Sequence, residues 1–423
     1  MLQVSYIRDN REQVLERLAV KNFKQPALVD EIIQLDERRR LTQNKMDGVS
    51  AQANAAAKQI GELMRAGKKE EAELAKTESG VFKGEIQTLG EELASIEETL
   101  QQKIVLLPNL PHSSVPKGLT PEENEVVLEN GAVPQLPANA LPHWELAAKY
   151  KLIDFELGVK ITGAGFPVYT GKGAKLQRAL INFFIDEAEK AGYSEVSVPL
   201  MVNEASGFGT GQLPDKEGQM YFVGVDNLYL IPTAEVPITN LYRDMILKAD
   251  DLPIKNCGHT PCFRREAGSY GAHVRGLNRL HQFDKVEIVQ VVHPDNSYEV
   301  LEQMSAHVQS LLQKLGLPYR VLRLCGGDMG FASALTYDME TWSAAQQRWL
   351  EVSSVSNFET FQTNRLKLRF RNAEGKTQLA HTLNGSALAL PRIVATLLEN
   401  NQTEKGIKIP EVLVPYTKFE WID

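Results

Sequence analysis

Between Pro26 and Pro108 the chain carries no proline, although it holds 20 in all. Proline inside a helix removes a hydrogen bond and clashes with the preceding turn, so a gap of this length permits long uninterrupted helices. Apolar residues recur through it at alternating spacings of three and four. Leu28, Ile32 and Leu35 are followed by Met46, Val49, Ala53, Ala56, Ile60 and Leu63, with Arg39 and Thr42 at the two intervening positions. A second series runs Ala72, Ala75, Ser79, Phe82, Ile86, Leu89, Leu93, Ile96 and Leu100. A period near 3.5 is that of a coiled-coil seam rather than of a helix on a globular core. Met64 to Glu70 separates the series and supplies a turn, which predicts an antiparallel helical hairpin over about 27–105. At 1.5 Å per residue its first helix would reach roughly 54 Å. Gly48, Gly80, Gly84 and Gly90 oppose this, at about 1 kcal/mol each relative to alanine.

The two arms of the hairpin differ in charge. From Arg11 to Lys69 there are 12 Lys/Arg against 8 Asp/Glu, net +4; from Glu70 to Gln102 there are 2 Lys against 9 Glu, net −7. The plain expectation is that these charges cross-pair or solvate the hairpin. The alternative is a basic arm facing a polyanion. The whole chain carries a formal charge of −8, so any nucleic-acid binding requires a local patch. Arg38, Arg39, Arg40 and Lys45 form the densest basic cluster of the first helix. Arg38, Arg40 and Lys45 are the candidates there, because Arg39 falls on the seam.

The remainder reads differently. Seven prolines (Pro108, Pro111, Pro116, Pro121, Pro134, Pro137 and Pro142) lie within 108–142, which predicts an irregular linker. The expected domains are therefore a helical arm over 1–107, a linker over 108–145 and a body over 146–423. Strand patterns at Glu195–Val202, Leu228–Ile231, Leu280–Val292 and Leu366–Phe370 mix with helical ones at Ala174–Ala191, Ser297–Leu315 and Ala387–Glu399. Asp226-Asn227 between two short runs signals a hairpin. Strands and helices do not alternate regularly. An α+β body with an antiparallel sheet flanked by helices is expected, not a doubly wound parallel fold. No run of about 18 apolar residues is present to span a membrane, and the N-terminus lacks a secretory pattern. Three cysteines make no disulfide framework, so a reducing, cytoplasmic compartment is expected.

Three segments could carry chemistry. The first runs from Gly165 through Gly171 and Gly173 into a helix and on to Pro199; its glycines read as a cap and turn rather than a phosphate loop. The second is Phe263-Arg264-Arg265-Glu266, a loop to Gly276, then Arg279-Leu280-His281-Gln282-Phe283-Asp284-Lys285-Val286-Glu287. Strand periodicity puts Arg264 and Glu266 on one face, and likewise Arg279, Phe283 and Glu287, with Lys285 opposite. Guanidinium forks match phosphate or carboxylate, and a phenyl ring can stack on a base. Taken singly, each has a plain reading as a sheet ion pair or core packing. The third is Thr382 to Arg392, where Pro391 fits a first helical turn. Arg392 would then stand at the positive end of a helix, where an anion is favoured. Cys257, His259 and Cys262 lie close together but lack the second ligand pair of a zinc site, and no zinc is expected.

In this order and spacing the three segments resemble the signature motifs of class II aminoacyl-tRNA synthetases, and most closely the seryl-tRNA synthetase family. The resemblance extends to Thr233-Ala234-Glu235, Lys285-Val286-Glu287, Glu351-Val352-Ser353-Ser354 with Asn357 and Phe361-Gln362, Asn384-Gly385-Ser386, the ending Ile409 to Leu413, and the coiled-coil arm. It covers essentially the whole chain, and six ordered motifs plus an arm do not agree by chance. Ala387 and Pro391 stand where the family usually has glycine; Arg392 is retained.

The resemblance implies a serine–tRNA ligase: L-serine and ATP give seryl-adenylate, and serine passes to the 3′ end of tRNA(Ser), with tRNA(Sec) as a second candidate. It implies Arg264, Glu266 and Arg392 as catalytic residues. ATP would meet Arg264, Arg265, Glu266, Arg279, Leu280, Phe283, Glu351, Val352, Ser353, Ser354 and Arg392. Phe283 and Arg392 would sandwich the adenine, whose edge Glu266 would contact. Serine would meet Thr233, Ala234, Glu235, Arg264, Glu287 and Ser386, and Mg²⁺ would be held by Glu351 and Ser354. A homodimer is implied, joined through the first motif's helix and the strand ending at Pro199. Three alternatives compete: a class II enzyme for threonine or proline, a carrier-charging paralogue, and a coiled-coil scaffold. The arm opposes the first two and the body motifs oppose the third.

Overall fold

The computed structural model describes residues 1–136, 139–215, 218–266, 271 and 274–423; Pro137 of the expected linker lies outside them. The chain divides into two compact units. Met1–Ala19 with Phe23–Pro108 form one, and Val20–Asn22 with Asn109–Asp423 form the other.

In the first unit two short helices, α1 (Val4–Asp9) and α2 (Arg11–Val20), precede the long α3 (Ala27–Arg65) and α4 (Lys69–Ile104). The turn between α3 and α4 is three residues, with Gly67 at φ +76°, a left-handed conformation that glycine adopts without penalty. Leu28, Ile32 and Val49 of α3 and Leu89, Leu93, Ile96 and Leu100 of α4 are buried along the seam. Both helices run unbroken through Gly48, Gly80, Gly84 and Gly90, because packing along the seam outweighs local propensity. Helix α3 also buries a carboxylate. Buried Asp36 accepts hydrogen bonds from Arg8 at 2.7 Å and Arg39 at 2.9 Å. The charged arms cross-pair: Arg38 faces Glu92 at 3.8 Å, Lys45 faces Glu85 at 3.4 Å, and Lys103 faces Glu31 at 2.5 Å.

The second unit is built on an eight-stranded sheet. Its strands are β1 (Glu125–Asn130), β2 (Ser194–Glu195), β3 (Ile254–Phe263), β4 (Gln282–Val292), β5 (Tyr319–Arg323), β6 (Leu335–Ser343), β7 (Arg348–Glu359) and β8 (His381–Ala389). They are ordered β1-β5-β6-β7-β8-β4-β3-β2. Every pairing is antiparallel except β3 with the short β2. Helices α5 (Gly171–Lys190), α6 (Ser297–Lys314) and α7 (Leu390–Asn400) pack against it. Along β4, Val286 and Ile288 join the core with Leu180 and Phe184 of α5, Val308 of α6 and Ile393 of α7. Strand alternation then turns Phe283 and Lys285 to the other face.

Several sequence expectations need correction. Residues 125–130, expected in an irregular linker, form an edge strand of the sheet. All six are exposed, so no buried alternation marks them. Glu195–Val202 is not one strand: Pro199 falls between β2 and a second short strand, Met201–Val202. Leu366 ends a helix (Phe361–Leu366), and strand structure resumes only at Arg369–Arg371. The helix expected from Ala387 starts at Leu390, because β8 runs to Ala389. The hairpin about Asp226-Asn227 is present, pairing Phe222–Val223 with Leu228–Leu230. No helix among the described residues is long and apolar enough to cross a membrane.

Candidate active site

A cavity of about 770 Å³ opens on the sheet face that carries Phe283 and Lys285. Of the residues expected to bind ATP or serine, Thr233, Glu235, Arg264, Glu266, Arg279, Leu280, Phe283, Glu351, Val352, Ser353, Ser354, Ser386 and Arg392 line it. Three others do not. Ala234 is wholly buried beside Ile238 and Val289. Arg265 is exposed, its backbone N–H bonded to the Gln219 carbonyl at 2.8 Å. Glu287 lies below the floor. Gly171 and Gly173 are also absent from the cavity; a Cβ at Gly173 would sit 2.2 Å from the Leu152 carbonyl oxygen. Close backbone packing, rather than phosphate binding, accounts for that glycine.

One end of the cavity is a buried charge cluster. The β4–β8 register sets Glu287 opposite Ser386. Glu287 is fully buried, accepts from Asn384 Nδ2 at 3.0 Å and forms an ion pair with Lys285. Lys285 was expected opposite Glu287; two residues apart on one strand, they share a face and pair directly. Lys285 Nζ also donates to Thr233 Oγ1 at 2.8 Å. Glu235, 6% exposed, accepts from Gln362 Nε2 at 2.6 Å. Burial, reinforced by the charge of Glu287, pushes the Glu235 carboxyl up to about 7. Burial likewise raises that of Glu287, against the opposing pull of Lys285. Two buried carboxyls thus share one directly paired ammonium, that of Lys285, with the Arg264 charge acting on both from further off.

Arg264 stands over this cluster. It and Glu266 lie just past the end of β3, at Phe263, not on the strand as the periodicity predicts. Arg264 Nε donates to the Pro232 carbonyl at 3.3 Å, and its guanidinium carbon is 5.3 Å from the Phe283 ring centroid. Glu266, at φ 48°, forms an ion pair with Arg279, which likewise precedes β4 rather than lying on it.

The far end is set by the first turn of α7, where Pro391 seats Arg392. Arg392 Nε donates to the Asn278 carbonyl at 3.0 Å, and Nη1 donates to the Glu351 carbonyl at 2.7 Å. Beside it the β6–β7 register sets Asp338 opposite Ser354. Asp338 was missed in the sequence. Its carboxyl is held well above the usual range by burial and then by the charge of Glu351. Its Oδ1 is buried without a hydrogen-bond partner. Thr336, Asp338 and Glu340 alternate along β6, a polar pattern in a strand that could have pointed to it. Cys257 and Cys262 are buried on β3, and His259 Nε2 bonds Asp284 Oδ1 at 2.7 Å. Among the described residues no group of three or more His, Cys, Asp and Glu side chains is placed to cage a metal ion.

Two regions of the chain match known families: residues 1–111 match the seryl-tRNA synthetase N-terminal domain, and residues 223–401 the tRNA synthetase class II core domain (G, H, P, S and T). The serine–tRNA ligase of Salinibacter ruber is 52% identical over 421 residues, covering 99% of this chain and 98% of that protein. The crystal structure of seryl-tRNA synthetase from Pyrococcus horikoshii complexed with ATP superposes with a TM-score of 0.94 at 32% identity, covering 100% of this chain and 99% of that one. That of the cytoplasmic serine–tRNA ligase of Naegleria fowleri with AMP gives 0.89 at 26% identity, covering 100% and 99%. Identity of this extent, running through both the helical hairpin and the sheet, leaves one assignment: the chain belongs to the seryl-tRNA synthetase family of class II aminoacyl-tRNA synthetases.

Proposed function

We infer that the protein is a serine–tRNA ligase, in which the serine carboxylate attacks the α-phosphorus of ATP. The bond to pyrophosphate breaks and seryl-adenylate forms. The terminal ribose hydroxyl of tRNA(Ser) then attacks the acyl carbon, and AMP leaves. The observation that carries the assignment of sites is the buried cluster of Glu235, Glu287, Lys285 and Thr233. Among the described residues Glu235 forms no direct ion pair, only feeling Lys285 and Arg264 at a distance, and the ammonium of serine supplies a partner. Ser386 lines the cavity and meets the hydroxyl, with Glu287 opposite it in the β4–β8 pairing and buried beneath. Alanine would leave the Ser386 hydroxyl without that partner in a dry site, which is the costly kind of mismatch. Arg264 is placed to take the serine carboxylate and the α-phosphate together. It aligns the reacting atoms and neutralises charge as it develops. Phe283 and Arg392 take the faces of the adenine and Glu266 its edge; Arg279 lies towards the outer phosphates.

Glu351, Ser354 and the unpartnered Oδ1 of Asp338 form an all-oxygen set that suits a hard cation. Mg²⁺ binds through one or two carboxylates and substrate phosphates rather than a full protein cage. When bound, it neutralises phosphate charge. The helical hairpin reads the tRNA by shape and backbone, with exposed Arg40 as its least encumbered cation; Arg38 and Lys45 first have to leave Glu92 and Glu85. A homodimer through α5 and the segment ending at Pro199 is supported by exposed Leu200 and Met201, which follow it directly. Three free cysteines fit a reducing cytoplasm. Charging of tRNA(Sec) follows if the hairpin reads features that it shares with tRNA(Ser).

ATP–pyrophosphate exchange with each amino acid in turn tests the reading. Serine alone should support exchange. Equal exchange with threonine, proline or alanine, or none with serine, refutes it.

A further inference from the structure

The short helix His143–Lys149 opens on a histidine that the chemistry above does not use. His143 and Glu399 have wholly buried side chains, and His143 Nδ1 lies 2.7 Å from Glu399 Oε1. On the other side of the ring, Nε2 accepts the Leu277 backbone N–H at 2.9 Å. An amide can only donate, so this bonding assigns the proton to Nδ1 and makes Nε2 the acceptor. Burial alone would raise the Glu399 carboxyl, but hydrogen bonds from His143 and Ser343 outweigh it and hold the group below its ordinary range.

The neighbouring residues are seated on the same helix end. The Arg275 guanidinium lies 4.8 Å from the Trp144 ring centroid. Gly276, at φ +69°, approaches so closely that a Cβ there would stand 2.3 Å from His143 Nε2. Next in the chain after Leu277 is Asn278, whose carbonyl takes the Arg392 Nε hydrogen bond at 3.0 Å. Asn278 Nδ2 donates to Gln346 at 2.9 Å, and Gln346 donates back to Glu399 at 3.0 Å. Glu399 and Arg392 belong to the last and first turns of α7. A closed circuit results: His143 fixes Leu277, Asn278 fixes Arg392, and α7 returns to His143 through Glu399.

We propose that His143 is a positioning residue for the nucleotide end of the site. It sets the height of the Leu277–Asn278 wall and so the plane of the Arg392 guanidinium. The inference rests on the reading that Arg392 meets the adenine. Among the described residues, Thr233, Glu235 and Glu287 share no bond with the circuit, so disturbing it should act on ATP and spare serine.

The test is ATP–pyrophosphate exchange on the full chain, with KM for ATP and for serine measured separately, alongside the melting temperature. Asparagine at 143 can still donate to Glu399 but offers Leu277 no acceptor; glutamine carries its carbonyl to about the Nε2 position. H143N should raise KM for ATP roughly tenfold, the worth of one well-made buried hydrogen bond, and leave KM for serine within about twofold. H143Q should recover most of that loss. Should H143N not fold, Gly276→Ala displaces the wall from the other side and should give the same split. Unchanged KM for ATP, or parallel rises in both constants, would reduce His143 to a buried structural residue. Wild-type protein without serine-dependent exchange would instead overturn the assigned reaction, before any variant is compared.

Discussion

Replacing Glu235 by glutamine should stabilise the protein while disabling it. Unfolded, the carboxyl titrates near 4.5; folded, it is pushed up to about 7 by burial and then by the charge of Glu287. Folding therefore takes up a proton between those values. Below 4.5 the acid is neutral in both states and costs nothing. Above 7 it must be ionised while buried, and the full penalty applies. The interval of about 2.5 pH units at 1.36 kcal/mol each gives about 3 kcal/mol. Glutamine keeps an oxygen for the Gln362 hydrogen bond but does not titrate. In denaturant titrations, Glu235→Gln should thus exceed wild type by about 3 kcal/mol at pH 8 and by under about 0.5 kcal/mol at pH 4.5. Activity should move the other way. Without an anion for the ammonium, serine-dependent exchange at pH 8 should fall by a factor on the order of 10²–10³, about 3–4 kcal/mol. Wild-type KM for serine should rise as pH drops through 7, and the variant should lack that limb. Stability curves that stay parallel across pH would show that Glu235 titrates normally, and the argument for an unbalanced anion would fail.

Glu287→Gln removes the partner of a lysine whose side chain is 6% exposed. Breaking such a pair should cost about 3–5 kcal/mol of stability, and serine activation should fall by a factor on the order of 10²–10³; full specific activity per folded molecule would make the residue purely structural. ATP binding without serine should be unchanged, as equilibrium titration can check. Deleting residues 30–100 should leave serine-dependent exchange largely intact and abolish most tRNA charging; equal loss of both in a folded protein would refute the division of labour. Charge reversal at Arg38 and Arg40 should weaken tRNA binding and lower the slope of log affinity against log salt by roughly one for each phosphate no longer neutralised. Unchanged affinity at low salt would remove these residues from the interface.

What was legible in the sequence was what is local. The seam through Ile32, Val49, Leu89 and Leu93 repeats every few residues, so its burial follows from period alone. Phe283 lines the cavity from the strand in which it was read, whereas Lys285, expected on the opposite face, shares the face of Glu287 and pairs with it. What was illegible depends on distant partners. His143 and Glu399 are 256 residues apart, and no spacing rule joins them. Asp338 meets Ser354 and Glu351 only through the β6–β7 register, which a sequence does not state. Glu125–Asn130 hid as a strand because an exposed edge needs no apolar alternation. Glu287 shows the limit most clearly. Read in sequence, it offers a choice: a ligand for the serine hydroxyl, or the mate of Lys285. The fold shows the pair with Lys285 directly, while Glu287 itself does not line the cavity. Lys285 pairs with Glu287 below the cavity floor and bonds Thr233 at its wall, so the pair itself holds the Thr233 hydroxyl in place at the cavity. A buried ion pair of this kind adds little net stability over apolar packing. On the proposed reading it is kept for another reason: binding a small zwitterion in a dry chamber requires charges already in position before the substrate arrives.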